Sequence, residues 1–472
     1  MSKNTKIVCT LGPSSDSISE IEELIKAGMN LARLNFSHGD YKDHKKIVQN
    51  LRTAAKRQNK TIGIIQDLQG PKIRIGLIEN GKLTLKKGQI ASLTLDDKPG
   101  RIEKSEAKIP IQYKELIKDV KKNDQILIND GLLELKVLSK TLTEIKCKVI
   151  QGGILGNNKG INVPTASISA DCLTKKDLKD LDFGLKLGVD YIALSFVRSE
   201  KDIKHLREIL TKKKKQTKII AKIERHEAVK NLEKIVKESD ALMVARGDLG
   251  VEIPAEKVPI VQKEMIRLAN IERKPVITAT QVLQSMVENP RATRAEISDA
   301  ANAVYDYTDA IMLSNESAVG AFAHDAVATL RKVALEVEAD QKVHKKSIQD
   351  IFIHYKNPTD ALCFHASKLS ETINAKYIVA YTNSGYSARE LTKTRTFTPI
   401  IIFTPEERVA RELTLVWGIN KVFVKKLKGE VQEKIKEIVA TLKKEKLIKE
   451  GDQIVITAND RIKEKFLLTY TC

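Results

Sequence analysis

Aromatic side chains are scarce in this chain: they make up 4% of its 472 residues, with a single tryptophan. Platforms on which successive bases stack are therefore few, which argues against a single-strand nucleic-acid binder. Cysteine is sparse too. The five present, Cys9, Cys147, Cys172, Cys363 and Cys472, are scattered without C-x-x-C spacing, so reduced thiols are expected rather than a disulfide framework or a zinc site. Long apolar runs are also missing. None approaches the ~18 residues of a membrane span, and Met1-Ser2-Lys3 leads into Ile7-Val8-Cys9 without the pattern of a signal peptide. A cytoplasmic protein with no membrane or nucleic-acid partner is expected.

Lysine is what the chain has in excess. Basic side chains number 81 against 61 acidic ones, a net charge of +20. That balance suits nucleic acid, anionic metabolites or simply a basic proteome, and charge alone does not choose among them. The densest run, Lys212 to Lys215, continues the helical pattern Ile203, Leu206, Ile209, Leu210 and reads as a solvated helix end. With 42% hydrophobic and 30% charged residues the composition is that of a globular protein. The length predicts several domains and at least one large core.

Short β-branched runs alternate with amphipathic stretches, twice, with a gap between. Strands are expected at 6–10, 29–35 and 61–67, then at 190–197, 218–224, 241–248, 274–280 and 309–316. Capping boxes mark the helices between them: Ser17 with Glu20, Thr174 with Asp177, Ser199 with Asp202, and Thr293 with Glu296. Eight such units fit a closed (β/α)₈ barrel formed by 1–74 and 165–345. The intervening 75–164, with alternating segments such as KLTLKKG and EIKCKVI, reads as an inserted small all-β domain. After a polar, basic stretch near 340–350, residues 355–472 read as an open-sheet α/β domain, with strands at 377–382, 399–404, 421–427 and 452–458 and helices near 358–374, 384–395, 405–414 and 429–446.

Barrel active sites lie at the carboxyl ends of the strands, so polar residues closing apolar runs carry the chemistry. Here those are Arg33, Asn35 and Ser37 on one face, then Asp67, Lys222, Glu224, Arg246-Gly247-Asp248, Thr278 to Thr280, Ser314 and Glu316. Singly, each has an ordinary reading. Glu224 can pair with Arg225, Asp248 can cap a turn, Lys222 and Glu224 can form a plain ion pair, and Thr280 can cap a helix. Together they converge. Two carboxylates from neighbouring strands suit a hard divalent cation, Mg²⁺ (with Mn²⁺ as a substitute), that takes its other ligands from water and substrate oxygens. Lys222 and Arg33 would neutralise a transferring phosphoryl group.

The runs KIVCTLGPSS, GMNLARLNFSHG, QGPKIRIG, AKIERHEAV, MVARGDLGVEIP, KPVITATQVLQSM and NPRATRAEISDAANAV, in this order and spacing, resemble the signatures of the pyruvate kinase family over essentially the full chain. The resemblance implies conversion of phosphoenolpyruvate and ADP to pyruvate and ATP by a three-domain subunit, usually in a homotetramer. It implies that Arg33 holds the substrate phosphate, that Lys222 stabilises the transition state, and that Glu224 and Asp248 bind the metal. Ala245, Gly247, Asp248 and the Thr280 hydroxyl then hold the substrate carboxylate, and Arg74, Lys159 and Asn35 meet the nucleotide. Asp130 is a lid residue. Water ordered by Thr280 and Ser314 is expected to deliver the final proton, because no histidine closes a strand; His38 and His226 are expected to be structural.

One departure stands out. Members of the family that need K⁺ bind it near Asn35, Ser37, Asp67 and the backbone carbonyl of the next residue, and carry threonine, glutamate and threonine where this chain has Leu68, Lys72 and Ile75. An ammonium at Lys72 can replace the ion, so activity without K⁺ is expected. The loop Thr382-Asn383-Ser384-Gly385-Tyr386-Ser387 occupies the family's effector position. The closing TANDRIKEKFLLTYTC lacks the family's Gly-rich segment, which leaves an effector unassigned.

Overall fold

A computed structural model describes residues 3–343, 357–459 and 465–472. Eight parallel strands close into a barrel: β1 (Lys6–Thr10), β2 (Leu31–Asn35), β3 (Gly63–Asp67), β4 (Tyr191–Leu194), β5 (Lys218–Ile223), β6 (Ala241–Ala245), β7 (Val276–Ala279) and β8 (Ala310–Leu313). Their order around the ring is β1-β8-β7-β6-β5-β4-β3-β2. The strands are buried on both faces, as a parallel sheet sheathed by helices requires. Val8, Ile65, Ile220, Met243, Ile277 and Met312 fill the inside, and Leu415 of the C-terminal domain joins them.

All four capping boxes form. Several strands are shorter than the sequence suggests. The 241–248 run stops at Ala245, because Arg246–Glu252 is already a helix. The 190–197 run stops at Leu194, where the chain turns sharply and Phe196 takes a left-handed φ of 55°. The 274–280 run ends before Thr280, which has φ 67°.

Between β3 and β4 sits a mainly β domain, with a seven-stranded sheet, a two-stranded one, a short helix (Leu116–Asp119) and its own core around Ile109, Leu135 and Val149. Its stem is a pair of antiparallel segments: Arg74 bridges Gly160, Ile75 N–H donates to Lys159 O (3.0 Å) and Ile161 N–H to Ile73 O (2.9 Å). The C-terminal sheet runs β11 (Ile419–Val424), β10 (Ile400–Thr404), β9 (Tyr377–Tyr381), β12 (Gln453–Asn459), β13 (Lys465–Thr471). The antiparallel edge β13 was not foreseen, although KFLLTYT alternates as a strand does. The expected strand 421–427 is shifted to Ile419–Val424. Most of the polar 340–350 stretch and part of the closing segment lie outside the described residues. The barrel floor and this sheet meet through buried Arg395, paired with Asp309 (3.3 Å) and lying 4.9 Å from the centroid of the Trp417 ring.

Candidate active site

The ends of β2, β3, β4 and β5 bring one ion cluster together. Asp67 accepts from Arg33 Nε at 2.7 Å and lies 3.2 Å from Lys222 Nζ. Lys222 Nζ also lies 2.8 Å from Glu224 Oε1 and donates to Ser195 Oγ at 2.8 Å. Arg33 Nη1 donates to Thr10 Oγ1 (2.9 Å), which leaves guanidinium N–H groups free for a phosphate. Lys222 is 9% exposed and Asp67 and Glu224 are 1% exposed. Burial disfavours the Lys222 ammonium, but the charges of Asp67 and Glu224 outweigh it and raise its pKa. At Asp67 burial is likewise overruled, by Lys222 and Arg33, and the carboxyl is held below its usual range. Glu224 goes the other way. Burial raises it, Lys222 opposes, and the negative charge of Asp248 raises it further. Arg225, the ordinary partner considered for Glu224, pairs instead with Glu227 at 3.1 Å.

Glu224, just past the end of β5, and Asp248, in the first turn of the helix after β6 rather than on the strand, lie near enough to feel each other's charge. Asp248 is exposed to the cleft while Glu224 is buried behind it. An oxygen-only donor pair whose mutual repulsion a cation relieves fits a hard divalent ion. Among the described residues, a second set, His226, Glu227 and Glu252, brings ligand atoms within 4.8 Å of one another. That set is already served: Arg225 pairs with Glu227, and Asn162 donates to Glu252 Oε1 at 2.9 Å. His226 Nδ1 lies 3.2 Å from Glu252, a structural contact.

Next to Ala245, Gly247 N–H donates to Thr280 Oγ1 at 2.8 Å, so the two groups expected to hold a carboxylate hold each other. Thr280 is β-branched and sits at φ 67°, a strained backbone that surrounding structure must enforce. It caps no helix; its carbonyl accepts from Arg246 Nη2 at 2.8 Å. Ser314 closes β8 and its N–H donates to Glu316 Oε2 at 2.8 Å.

A cavity of about 190 Å³ opens between the barrel and the inserted domain, lined by Lys72, Arg74, Asp130, Lys159, Arg225 and Asp248 among others. Lys72 is exposed there, while Asp67 is held by Arg33 and Lys222. Asn35 Oδ1 accepts from Ser37 N–H (3.1 Å), and the Leu68 carbonyl accepts from Ser195 Oγ (2.7 Å). Sequence reasoning missed Ser195 and Phe196, and took Arg225 only as a partner for Glu224, not as a residue lining the cleft. In the C-terminal domain Gly385 N–H donates to Thr382 Oγ1 at 3.0 Å. Thr382 and Ser387 are buried, Asn383 is half-buried and Ser384 is exposed.

The family description "Pyruvate kinase, barrel domain" matches residues 2–327 and "Pyruvate kinase, alpha/beta domain" matches 360–466. The chain belongs to the pyruvate kinase family. Pyruvate kinase from Staphylococcus epidermidis is 44% identical over 465 residues, covering 98% of this chain and 79% of that protein. The Staphylococcus aureus enzyme is 44% identical over 458 residues, 97% and 77% of the two chains. The crystal structure of a pyruvate kinase from Cryptosporidium parvum superposes with a TM-score of 0.93 at 38% identity, covering 100% of this chain and 96% of that one. As a pyruvate kinase the protein is a phosphotransferase that uses phosphoenolpyruvate and ADP. Among the described residues no helix is long and apolar enough to cross a membrane.

Proposed function

We propose that this pyruvate kinase works with Mg²⁺ at Glu224 and Asp248 and needs no K⁺. The observation that supports it is the joining of Arg33, Asp67, Lys222 and Glu224 in one ion cluster at the mouth of the cleft that Asp248, Arg74 and Lys159 line. Bound Mg²⁺ supplies a hard positive charge for phosphoryl oxygens. Arg33 grips the phosphate of phosphoenolpyruvate, while Gly247 N–H and the Thr280 hydroxyl turn from each other to the carboxylate. Arg74 and Lys159 on the stem hold the ADP phosphates, with Asn35 and Asp130 at the edge. The bond from phosphorus to the enol oxygen breaks as one to the terminal ADP oxygen forms, and Lys222 spreads the charge of the group in flight. Water ordered by Thr280 and Ser314 gives the methylene carbon its proton, completing pyruvate.

A lyase or aldolase barrel has no use for nucleotide-phosphate cations on an inserted domain. Lys72, facing the cleft beside Arg74, brings a fixed positive charge to the loop that follows Asp67. The reading extends to a homotetramer acting in the cytoplasm, on the habit of the family. Coupled assays of ATP and pyruvate, titrating Mg²⁺ and comparing K⁺-containing with K⁺-free buffer at equal ionic strength, test it. We expect strict Mg²⁺ dependence and equal rates in the two buffers; a large stimulation by K⁺ overturns the role of Lys72.

A further inference from the structure

Two side chains of the ion cluster are gripped by the same turn, which neither is part of. Ser195 is 1% exposed and follows β4. Its Oγ lies 2.8 Å from Lys222 Nζ, 2.7 Å from the Leu68 carbonyl and 3.4 Å from Asp67 Oδ1. A hydroxyl has one hydrogen, and the shortest acceptor, Leu68 O, takes it. A lone pair is therefore fixed toward the ammonium. The next residue, Phe196, donates its N–H to Glu224 Oε2 at 2.7 Å, which its φ of 55° makes possible.

We propose that the Ser195–Phe196 turn is a positioning clamp: the Ser195 hydroxyl fixes the Lys222 ammonium and the Phe196 N–H fixes the Glu224 carboxylate, holding cation and metal ligand in one set geometry. The clamp rests on the kinase reading above. The ammonium has three N–H groups, and Ser195, Glu224 and Asp67 take all three. Two of those partners are carboxylates. Without the neutral third one, nothing but Asp67 draws the ammonium back from Glu224, and Lys222 stays in competition with a metal for that carboxylate. With it, Glu224 can face a cation while Ser195 and Asp67 keep the ammonium in place, and the released N–H points to the substrate.

The surroundings enforce the turn. Gly70, itself at φ 67°, packs against it so closely that a Cβ there would lie 2.8 Å from Phe196 Cδ2 and 3.1 Å from Ser195 Cβ. Gly70 N–H is pinned to Asp177 Oδ1 at 3.1 Å.

The test uses the full-length protein with Ser195→Ala, Ser195→Thr and Gly70→Ala, reading steady-state kinetics together with substrate-free Mn²⁺ binding by electron paramagnetic resonance. Supporting orientation of a metal ligand and its neighbour is worth about 10–100-fold in activity or metal affinity. Ser195→Ala should lower kcat by about tenfold or more with KM for phosphoenolpyruvate little changed, and weaken Mn²⁺ binding. Ser195→Thr, which keeps the hydroxyl, should recover most of both. Gly70→Ala deletes no polar group yet displaces the turn, so it should reproduce both losses and serves if Ser195→Ala does not fold. Ser195→Ala with wild-type kcat and Mn²⁺ affinity overturns the clamp, as does a Thr variant no better than Ala. Failure of the wild-type protein to make ATP from phosphoenolpyruvate and ADP would instead sink the kinase reading itself.

Discussion

At Lys222 a buried ammonium is matched by two carboxylates, so its charge is fixed over the whole working range of pH. A group of this kind acts by field and position rather than by exchanging protons. Lys222→Met should therefore lower kcat by about 10²–10³, the usual loss when one aimed charge is removed from a developing transition state. The same change leaves Glu224 and Asp67 without their shared cation, so the variant's melting temperature should rise with added Mg²⁺ more than the wild type's does. A melting curve that ignores Mg²⁺ in Lys222→Met would show that the carboxylates are not a metal site. Charged residues such as Lys222, Glu224 and Asp248 were legible in the sequence because they interrupt apolar runs where a barrel strand must end. Ser195 was not. Within DYIALSFV a serine is indistinguishable from a strand residue, and only the partners it meets across β3 and β5 reveal its task.

The eight barrel strands and their capped helices followed from apolar periodicity, since burial on both faces leaves little freedom in composition. Strand ends were overextended wherever the chain leaves the ladder in a left-handed turn, because Phe196 and Thr280 give no local sign of that conformation. Edge strand β13 was missed for a related reason: its place is set by pairing with β12, a partner periodicity does not name. Packing between elements is equally specific. Gly184 lies buried in the helix Lys175–Leu187, where a Cβ would stand 2.0 Å from Gln66 Oε1 on β3. Gln66 is fully buried and donates to Asp180 O at 2.7 Å, so it has nowhere to move. Alanine is the better helix former, yet Gly184→Ala should destabilise the protein by about 1–3 kcal/mol through overpacking. Thermal or urea unfolding checks the sign; a stabilised variant would contradict this packing.

Across the whole molecule, the barrel and the C-terminal domain meet at a buried ionic seam. Arg273, on the loop before β7, pairs with Glu390 and lies 3.4 Å from Asp360, and Tyr386 of the candidate effector loop donates to Asp360 at 2.8 Å. Burial lifts the Glu390 carboxyl to about 7; Arg273 and Lys393 oppose this and Asp360 adds to it. Since its folded pKa exceeds the unfolded one, protonated Glu390 favours the folded state below the ordinary carboxylate pKa. That contribution is lost as pH rises through about 7. The melting temperature should accordingly fall between pH 5 and 7.5 by more in the wild type than in Glu390→Gln, and equal slopes in the two proteins would refute it.

The paired stem Ile73–Ile75 and Lys159–Ile161 has a further consequence. Because the chain leaves the barrel and returns to it at neighbouring points, closing that gap with a short turn carries little entropic cost. The whole β insertion is thus a cassette: a counterpart from a distant homologue can be grafted there with β3 and β4 undisturbed. Swapping it leaves Arg33, Lys222, Glu224 and Asp248 in place on the barrel side of the cleft and replaces only the wall that the insertion, with Asp130, supplies.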